Sequence, residues 1–347
     1  MTPDTEVLPH EPLVRSEPVE CHVDVSVVIP TYGRPDLLRR CLEALCHQDL
    51  PHHRYEIVVA DDGPSAETEQ TVLAYASRSE ATSMTPQIRY IPVVATQGPA
   101  GARNRGWQAA WGRIIAFTDD DTVPARNWLS AGLAAMTGGA DAATGQVKVP
   151  VPEHPTDYER DVGGLATAEF VTANCFVTRA ALVATQGFDE RYTRAWREDS
   201  DLQFSLMQHG LTIADAPDAV VLHPIRPAPW GVSMRMQSKV YFDALLYSKY
   251  PGLYRQRIRP TPPWNYYVSL LAIVIAVGAA LAGQPALCVF AALVWLALTA
   301  AFCIRRLRGA ARTLSHIAEM ALTSIAIPPL ALYWRIRGSL HFKVLFL

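Results

Sequence analysis

Residues 112–124 have the sequence GRIIAFTDDDTVP, in which an apolar segment runs directly into three aspartates. The apolar segment predicts a buried β-strand. Carboxylates this close repel one another unless water in a turn or a bound cation relieves the repulsion. The stretch therefore predicts the end of a strand that is followed either by a solvated turn or by a cation site.

The chain around this stretch alternates between strand and helix patterns from residue 23 to about residue 224. The predicted strands are DVSVVIP, YEIVVADDG, IRYIPVV and GRIIAFTDDD, and the predicted helices between them are PDLLRRCLEALCHQ, residues 66–77 and GARNRGWQAAW. This alternation predicts an α/β fold with a mostly parallel sheet and helices on both faces. Ligands of such sheets bind at the carboxyl ends of the strands.

Polar sequences follow three of the predicted strands at that edge: PTYGR, DDG at 61–63 and DDD at 119–121. No glycine-rich loop of the GxGxxG or GxxxxGKS type follows the first strand, so a phosphate would have to be bound in another way. Mg²⁺ or Mn²⁺ held by carboxylates is one such way. In an extended chain Asp119 and Asp121 face the same side and Asp120 points away. The D-x-D spacing thus suits a metal ion that carries a diphosphate.

A second acidic group, Glu198, Asp199 and Asp201, lies where REDSDLQFSL predicts the start of a helix. The helix dipole stabilises acids in a first turn, which is one explanation. A general base that removes a proton from a hydroxyl is the other. His223 ends the short apolar strand DAVVLHP and is either a structural residue or a metal ligand.

The C-terminal part of the chain has a different composition, because residues 260–304 contain no charged side chain. Two apolar segments, about 265–282 and 286–304, flank the turn sequence GQP, and each has about the ~20 residues that cross a bilayer. A transmembrane hairpin is predicted, with a buried helix pair of a soluble domain as the alternative. The basic cluster RRLRGAAR follows the hairpin and favours the cytoplasmic side.

A third apolar segment, at about 314–334, ends in the basic sequence WRIRGSLHFK, which favours a helix in the membrane interface over a third crossing. Residues 231–263 mix basic, aromatic and apolar side chains and predict an amphipathic connecting segment, with an ordinary surface helix as the alternative.

Residues 1–22 are rich in proline and glutamate, lack the apolar core of a signal peptide and predict a disordered tail. The six cysteines form no CxxC pair and are expected to be reduced thiols.

Six motifs occur in order between residues 23 and 224: VSVVIPTYGRPDLLRRCLEAL, EIVVADDG, GPAGARNRGW, FTDDDTVP, ANCFVTRAALVATQGFDE and REDSDLQFSL. In this order and at these intervals they resemble a family-2 glycosyltransferase with the GT-A fold. The resemblance implies transfer of a sugar from a UDP-, GDP- or dTDP-linked donor to an acceptor hydroxyl. It also implies inversion at the anomeric carbon and a divalent cation, Mn²⁺ or Mg²⁺.

The resemblance also implies roles for individual residues. The donor would contact Thr31, Tyr32, Asp61, Asp62, Arg103 and Asp119; the metal ion would bind Asp121, Asp119 and His223; and Asp199 would be the catalytic base, supported by Glu198. The chain departs from the family pattern at Gly33, where asparagine is frequent, and at Pro64, where serine is frequent. No QxxRW motif follows the acidic group at 198–201, which favours addition of one sugar per encounter over polymerisation.

The expected organisation is a tail at 1–22, a catalytic domain at 23–230, a connecting segment at 231–263 and a membrane region at 264–347. We expect a multi-pass protein of the cytoplasmic membrane whose catalytic domain faces the cytoplasm. Its acceptor would be lipid-linked or close to the membrane, and no nucleic-acid partner is expected. The alternatives are a nucleotidyltransferase, which the absence of a GxGxR loop disfavours, and a membrane-anchored scaffold, which would have no need of the acidic residues.

Overall fold

The structure is a computed structural model that describes residues 23–82, 85–95 and 98–347. The tail predicted for residues 1–22 lies outside the described residues and stays a prediction.

One mixed sheet of eight strands, in the order β3-β2-β1-β4-β7-β6-β8-β5, forms the centre of the domain that the sequence predicts to be catalytic, called the catalytic domain below. The strands are β1 (Val25–Thr31), β2 (Tyr55–Asp61), β3 (Gln87–Pro92), β4 (Ile114–Thr118), β5 (Val123–Pro124), β6 (Ala142–Lys148), β7 (Asn174–Thr178) and β8 (Ile213–Leu222). Strands β1 to β4 are parallel to one another, whereas β7 is antiparallel to both β4 and β6. The predicted parallel arrangement therefore describes the first half of the sheet.

Helices cover both faces of the sheet, as the alternating pattern predicts. In chain order they are α1 (Pro35–Cys46), α2 (Ala66–Thr82), α3 (Pro99–Ala109), α4 (Trp128–Met136), α5 (Asp157–Gly163), α6 (Arg179–Thr185), α7 (Glu198–Gln208), α8 (Val232–Met236), α9 (Val240–Lys249), α10 (Pro251–Leu253), α11 (Trp264–Leu281), α12 (Pro285–Leu307) and α13 (Leu314–His341). Helices α1, α2 and α4 contribute to the core on one face, and α3, α6, α7 and α9 contribute to the core on the other.

Two glycines allow helices to approach the sheet closely. A Cβ at Gly106 of α3 would lie 2.4 Å from Val28 Cγ1 of β1, and a Cβ at Gly132 of α4 would lie 2.0 Å from Phe176 Cζ of β7. These distances are shorter than any contact between carbon atoms in a packed core, so neither position accepts a side chain unless the helix or its neighbour shifts. The first contact matters for the site, because α3 carries Arg103.

Helices α11 and α12 form an antiparallel hairpin whose side chains are mostly exposed, at Trp264–Leu281 and Pro285–Leu307. Their bounds agree with the predicted segments to within three residues. Helix α13 is longer than the apolar pattern indicated, because it continues to His341 through the basic sequence. All three helices are long and apolar enough to cross a membrane.

Helix α13 packs along the connecting segment over most of its length. Near its start, Glu319 Oε1 accepts a hydrogen bond from Gly231 N (2.7 Å), and near its end a Cβ at Gly338 would lie 2.6 Å from Tyr241 O. These contacts are nineteen residues apart, or about 28 Å along a helix. The opposite face exposes apolar side chains at Leu322, Ile325, Tyr333, Ile336 and Leu340. Helix α13 therefore has one face on protein and one apolar face outward.

A buried arginine at the end of α12 joins the membrane region to the catalytic domain. Arg306 donates to the hydroxyls of Thr323 (2.7 Å) and Ser324 (3.0 Å) on α13. It also donates to Asp157 Oδ2 (2.8 Å) on α5 and to Ser233 Oγ (3.1 Å) on α8. The hairpin, α13 and the catalytic domain therefore meet at one guanidinium.

Asn174 provides a test of the sheet, because its side chain fills an irregularity in the pairing of β6 with β8. Its Nδ2 donates to the carbonyls of Gln146 (2.9 Å) and Ala219 (2.8 Å), and its Oδ1 accepts from Trp128 Nε1 (2.8 Å). Asn174→Ala removes the partner of two buried polar groups, Ala219 O and Trp128 Nε1, and of the part-buried Gln146 O, which we expect to lower the free energy of unfolding by about 3 kcal/mol or more. Thermal or urea unfolding in detergent measures this loss.

The matched control is Asn127→Ala, because the Asn127 side chain is exposed and makes one long hydrogen bond, to Asp218 O at 3.3 Å. We expect this variant to change the free energy of unfolding by about 0.5 kcal/mol or less. Equal losses in the two variants would contradict the role assigned to Asn174.

Candidate active site

A large cleft of about 1350 Å³ opens at the carboxyl edge of β1 and β4. Among the residues predicted for the site, those that line it are Thr31, Tyr32, Asp62, Arg103, Asp119, Asp121, Glu198, Asp199 and His223. Six separate parts of the chain contribute them, namely the end of β1, the loop after β2, helix α3, the turn after β4, the start of α7 and the residue that follows β8. The sheet therefore brings the predicted motifs to one place.

The three consecutive aspartates form a turn, since β4 ends at Thr118. Both the backbone nitrogen of Thr122 (3.2 Å) and its hydroxyl (2.8 Å) donate to Asp119 O and close this turn. Because the chain turns here, strand alternation does not apply, and all three carboxylates line the cleft. Asp119 and Asp121 form one group with His223, whereas the carboxylate of Asp120 is turned to Thr31 and Arg34.

Asp120 is buried and ties two loops of the cleft together. Its Oδ2 accepts from Thr31 Oγ1 (2.8 Å) and its Oδ1 pairs with Arg34 Nη1 (3.3 Å). Burial raises the pKa of Asp120 to about 6, against the opposite effects of Arg34 and Thr31. Arg34 was not among the predicted site residues, and its place directly after the first strand was the signal that pointed to it.

The two aspartates after β2 face different environments. Asp61 is fully buried and accepts hydrogen bonds from Gly63 N (3.1 Å), Ser65 N (3.3 Å) and the Tyr90 hydroxyl (2.9 Å). It does not belong to the described lining of the cleft. Asp61 instead holds the loop that presents Asp62.

Asp62 and Tyr32 form the outer wall at this end of the cleft. Both carboxylate oxygens of Asp62 accept from Gly98 N, each at 2.8 Å, and burial raises its pKa. The Tyr32 ring is 63% exposed and lies on Gly63, where a Cβ would be 2.6 Å from Tyr32 Cε2. An exposed aromatic ring beside a carboxylate is suited to stacking on a nucleobase and hydrogen bonding to it.

Arg103 lies at the centre of the cleft and is buried. Its guanidinium pairs with Asp119 Oδ1 (2.7 Å) through Nη2 and with Glu198 Oε1 (3.1 Å) through Nη1. Burial alone would lower the pKa of Arg103, but Asp119 and Glu198 outweigh this effect and raise it. One arginine thus links the acidic turn after β4 to the acidic start of α7.

Glu198 and Asp199 begin α7 at a strained position, because Arg197 before them has a φ of 76°. A non-glycine residue in this region is held there by its surroundings. Arg197 Nε pairs with Asp243 (2.6 Å) and its guanidinium lies 4.5 Å from the Trp196 ring centre. These two contacts fix the direction in which the acidic pair enters the cleft.

The two acids differ in their contacts. Burial and the neighbouring Asp199 raise the pKa of Glu198 to about 7, although Arg103 opposes them. Burial also raises the pKa of Asp199, while the hydrogen bond from Ser200 N to its Oδ1 (2.8 Å) acts in the opposite direction. Asp199 is less buried than Glu198 and faces the open cleft. Of the two, Asp199 is the better placed to meet a substrate.

Asp119, Asp121 and His223 form a cluster in which one ligand atom of each lies within 4.8 Å of the others. His223 Nε2 is 3.5 Å from Asp121 Oδ1, and Arg226 Nε is 3.1 Å from Asp121 Oδ2. Two carboxylate oxygens and one imidazole nitrogen are a donor set that Mn²⁺ accepts. Arg226, three residues after the histidine, adds a positive charge that the sequence interpretation missed.

The connecting segment supplies a further wall of the cleft, which includes Lys239. The ammonium of Lys239 lies 4.9 Å from the Trp196 ring centre, and burial lowers its pKa. No local pattern in the sequence marks Lys239 or Trp196 as site residues, because only the tertiary fold brings residue 239 to the cleft.

The pKa of Glu198 leads to a prediction on stability. The folded state disfavours the charged form of Glu198, so stability from this group is full below its ordinary pKa and is lost as the pH rises through about 7. We expect the thermal midpoint of Glu198→Gln to rise relative to that of the wild type as the pH increases from 5 to 8. The exposed Glu67→Gln, on α2, should follow the wild type. A constant difference between Glu198→Gln and wild type across this range would contradict the raised pKa.

The geometry agrees with what comparison to known proteins shows. Residues 26–170 match the family model of glycosyl transferase family 2. Over 228 residues the chain is 26% identical to Glycosyltransferase AglE of Haloferax volcanii. This alignment covers 62% of this chain and 71% of that protein. Over 98 residues it is 32% identical to the GalNAc(5)-diNAcBac-PP-undecaprenol beta-1,3-glucosyltransferase of Campylobacter jejuni, covering 28% of this chain and 29% of that protein.

The chain spans about half the length of other curated relatives that it matches. Among solved structures, the Mannosyltransferase PcManGT from Pyrobaculum calidifontis, in complex with GDP-Man and Mn²⁺, superimposes with a TM-score of 0.53 at 18% identity. The match covers 93% of this chain and 90% of that one, and it shows a shared fold. Residues 26–170 of the chain therefore match glycosyl transferase family 2, and the domain that contains them has a GT-A fold.

Proposed function

We propose that the chain is a metal-dependent, inverting glycosyltransferase that moves one sugar from a nucleoside-diphosphate donor to a hydroxyl of a membrane-held acceptor. The observation that carries this proposal is the division of one cleft into two halves. The cluster of Asp119, Asp121 and His223 lies in one half and Asp199 in the other, and Arg103 lies between them. A metal-bound diphosphate and an acceptor hydroxyl could thus face each other across the sugar.

The metal half of the cleft fits a divalent cation. Asp121 and His223 are buried, their ligand atoms are close to one another, and Asp119 completes the set. Because imidazole is a better ligand for Mn²⁺ than for Mg²⁺, Mn²⁺ is the preferred ion. A bound cation would neutralise negative charge on the leaving diphosphate. The guanidinium of Arg226, beside Asp121, would help to neutralise the same negative charge.

The other half of the cleft fits a general base. Inversion requires a single in-line displacement, so the enzyme needs a base for the acceptor hydroxyl and no nucleophile of its own. The Oδ1 of Asp199 accepts from Ser200 N, which orients the carboxylate and leaves Oδ2 for the acceptor. Glu198 is a positioning residue, because it acts through Arg103.

The nucleotide end of the donor is assigned to the outer wall formed by Tyr32 and Asp62. Asp61 supports this wall from beneath through its hydrogen bonds to the loop, and Thr31 supports it through Asp120. The donor is a UDP-, GDP- or dTDP-linked sugar. The relative from Pyrobaculum calidifontis holds GDP-Man, which supports a nucleoside-diphosphate sugar in a cleft of this fold.

The membrane region is assigned as a hairpin of α11 and α12 that crosses the bilayer, with α13 in the interface. The basic cluster after α12 supports a cytoplasmic position of the catalytic domain. The contacts of α13 with Gly231 and Tyr241 support the interfacial position, because a helix that leaves the catalytic domain to cross the bilayer would not keep both. The Campylobacter jejuni relative is named for an undecaprenol-linked substrate, which supports a lipid-linked acceptor.

Asp199→Asn tests the assignment of the base. We expect the variant to lose transfer by about 10²- to 10⁴-fold, since the amide cannot take the proton of the acceptor. Its affinity for the nucleotide sugar should change little, because Asp199 lies in the acceptor half. Radiolabelled transfer to membrane lipids measures the first quantity, and calorimetry with UDP-, GDP- and dTDP-sugars measures the second.

The matched control is Asp215→Asn, whose side chain is exposed on β8. It should transfer sugar at the wild-type rate. If Asp199→Asn instead loses donor affinity while its fold is intact, Asp199 belongs to the donor half and the proposed base is wrong.

His223→Ala tests the metal site without a donor. We expect the affinity for Mn²⁺ alone to fall by about tenfold or more, because the cluster loses one of its three protein ligands. Electron paramagnetic resonance of free Mn²⁺ in a titration of the full chain measures this affinity. His209→Ala, whose ring contacts a backbone carbonyl of its own helix, is the control. Unchanged Mn²⁺ affinity in His223→Ala would remove His223 from the metal site.

A further inference from the structure

Residues 189–197 form the loop that leads into α7, directly before Glu198 and Asp199, and we call it the acid loop. It contains neither helix nor strand, and its last residue, Arg197, has a φ of 76°. A non-glycine residue in this conformation costs free energy, which the surrounding structure has to supply. The position of the two acids therefore depends on what holds this loop.

Helix α9 and the turn before it contact the acid loop from its first residue to its last. Each contact is a hydrogen bond or an ion pair between side chains. The pairs are Lys249 with Asp189 (2.9 Å), Ser238 with Arg194 (2.7 Å), and Asp243 with Trp196 (3.0 Å) and Arg197 (2.6 Å). The loop before the catalytic pair is thus held by the connecting segment.

Asp243 holds the end of the loop that is nearest to the acids. Its side chain is 7% exposed, and a single oxygen, Oδ1, accepts from both Trp196 Nε1 and Arg197 Nε. Hydrogen bonds between charged groups are stronger than those between neutral ones. The pair of Asp243 with Arg197 therefore opposes the cost of the unfavourable φ and fixes the residue at which α7 begins.

Helix α9 is itself placed by α13. Gly338 lies so close to α9 that a Cβ would be 2.6 Å from Tyr241 O and 3.0 Å from Ala244 Cβ, and the Tyr241 ring centre is 5.0 Å from that of Phe342. Tyr241 and Ala244 stand on either side of Asp243 in the sequence. A displacement of α13 against α9 would therefore move the backbone that carries Asp243.

The outer face of α13 is apolar in the same turns. Tyr333, Ile336 and Leu340 are all more than half exposed there. A bilayer that takes up such side chains would hold α13 from outside the protein. The contacts then run without interruption from this surface through α9 to the start of α7.

We propose that α13 holds the acid loop in its catalytic position through α9, so that sugar transfer depends on the seating of α13 against α9. Asp243 is the positioning residue in this series of contacts, because it acts on Asp199 through Arg197. The inference rests on the proposed function, in which Asp199 is the base. It adds that a membrane-side helix, remote from the donor, determines whether that base is in place.

Gly338→Val tests the contact of α13 with α9 in the full chain in phosphatidylcholine nanodiscs. We expect kcat for transfer to membrane lipids to fall by about tenfold or more, since a small misplacement of a catalytic group is costly. KM for the nucleotide sugar and the affinity for Mn²⁺ should not change. Gly278→Val is the matched control, because a Cβ at Gly278 of α11 meets nothing within 4 Å. Wild-type kcat in a folded Gly338→Val would overturn the proposal.

Variants of Asp243 test the other end of the series. Asp243→Ala should lower kcat by about tenfold or more with KM for the donor unchanged, and Asp243→Asn should recover part of the loss, since its amide oxygen still accepts hydrogen bonds. Glycine adopts a φ of 76° freely, so in the background of Arg197→Gly the change Asp243→Ala should lower kcat by less than about threefold. An equal loss in both backgrounds would overturn the role assigned to Asp243.

Amide hydrogen exchange tests the position of the loop without any activity. We expect residues 189–201 to exchange faster in Gly338→Val and Asp243→Ala than in the wild type, and residues 55–61 of β2 to exchange as in the wild type. Unchanged exchange of residues 189–201 in both variants would overturn the proposal. A wild-type protein that hydrolyses none of the UDP-, GDP- and dTDP-sugars with Mn²⁺ would contradict the proposed function, whereas the exchange result would still decide whether α13 holds the acid loop.

Discussion

The ion pairs of Arg103 with Asp119 and Glu198 are the interaction on which the rest of the cleft depends. Without the guanidinium, two carboxylates from distant parts of the chain would be buried close together with no compensating charge. Breaking such a buried pair costs about 3–5 kcal/mol, which is a large part of the stability of a domain. Arg103 can reach both acids because Gly106 lets α3 approach β1. A packing constraint in the core thus determines the spacing of the two halves of the site.

A second buried arginine has the corresponding role on the membrane side. Arg306 joins α12 and α13 to α5 and α8, so the hairpin is bound to the domain through one buried guanidinium. Helix α13 then runs along the connecting segment, and the connecting segment brings Lys239 to the cleft. The three apolar helices and the cleft are therefore connected through two short chains of contacts.

Local patterns in the sequence were sufficient for much of the fold. Continuous β-branched runs predicted β1, β2 and β4, and the uncharged segment predicted α11 and α12, because strands and membrane helices are determined by the burial of consecutive residues. The motifs that end β1, β2 and β4 meet in the cleft because these strands are parallel neighbours. The roles of Asp120 and of Asp61 relative to Asp62 could not be predicted, since each follows the end of a strand, where a turn replaces the alternation of side chains. Arg226 and Lys239 were missed because tertiary contacts, and no spacing in the sequence, bring them to the cleft.

The central claim is that a divalent cation binds between Asp121 and His223, across Arg103 from Asp199. The most direct measurement is anomalous diffraction from crystals of the full chain with Mn²⁺ and a nucleoside diphosphate. The account predicts one manganese peak about 2–2.3 Å from an oxygen of Asp121 and from a nitrogen of His223. It also predicts that the diphosphate lies on the side of this ion that faces Arg226. A manganese peak on Glu198 and Asp199, or none in the cleft with the nucleotide bound, would contradict it.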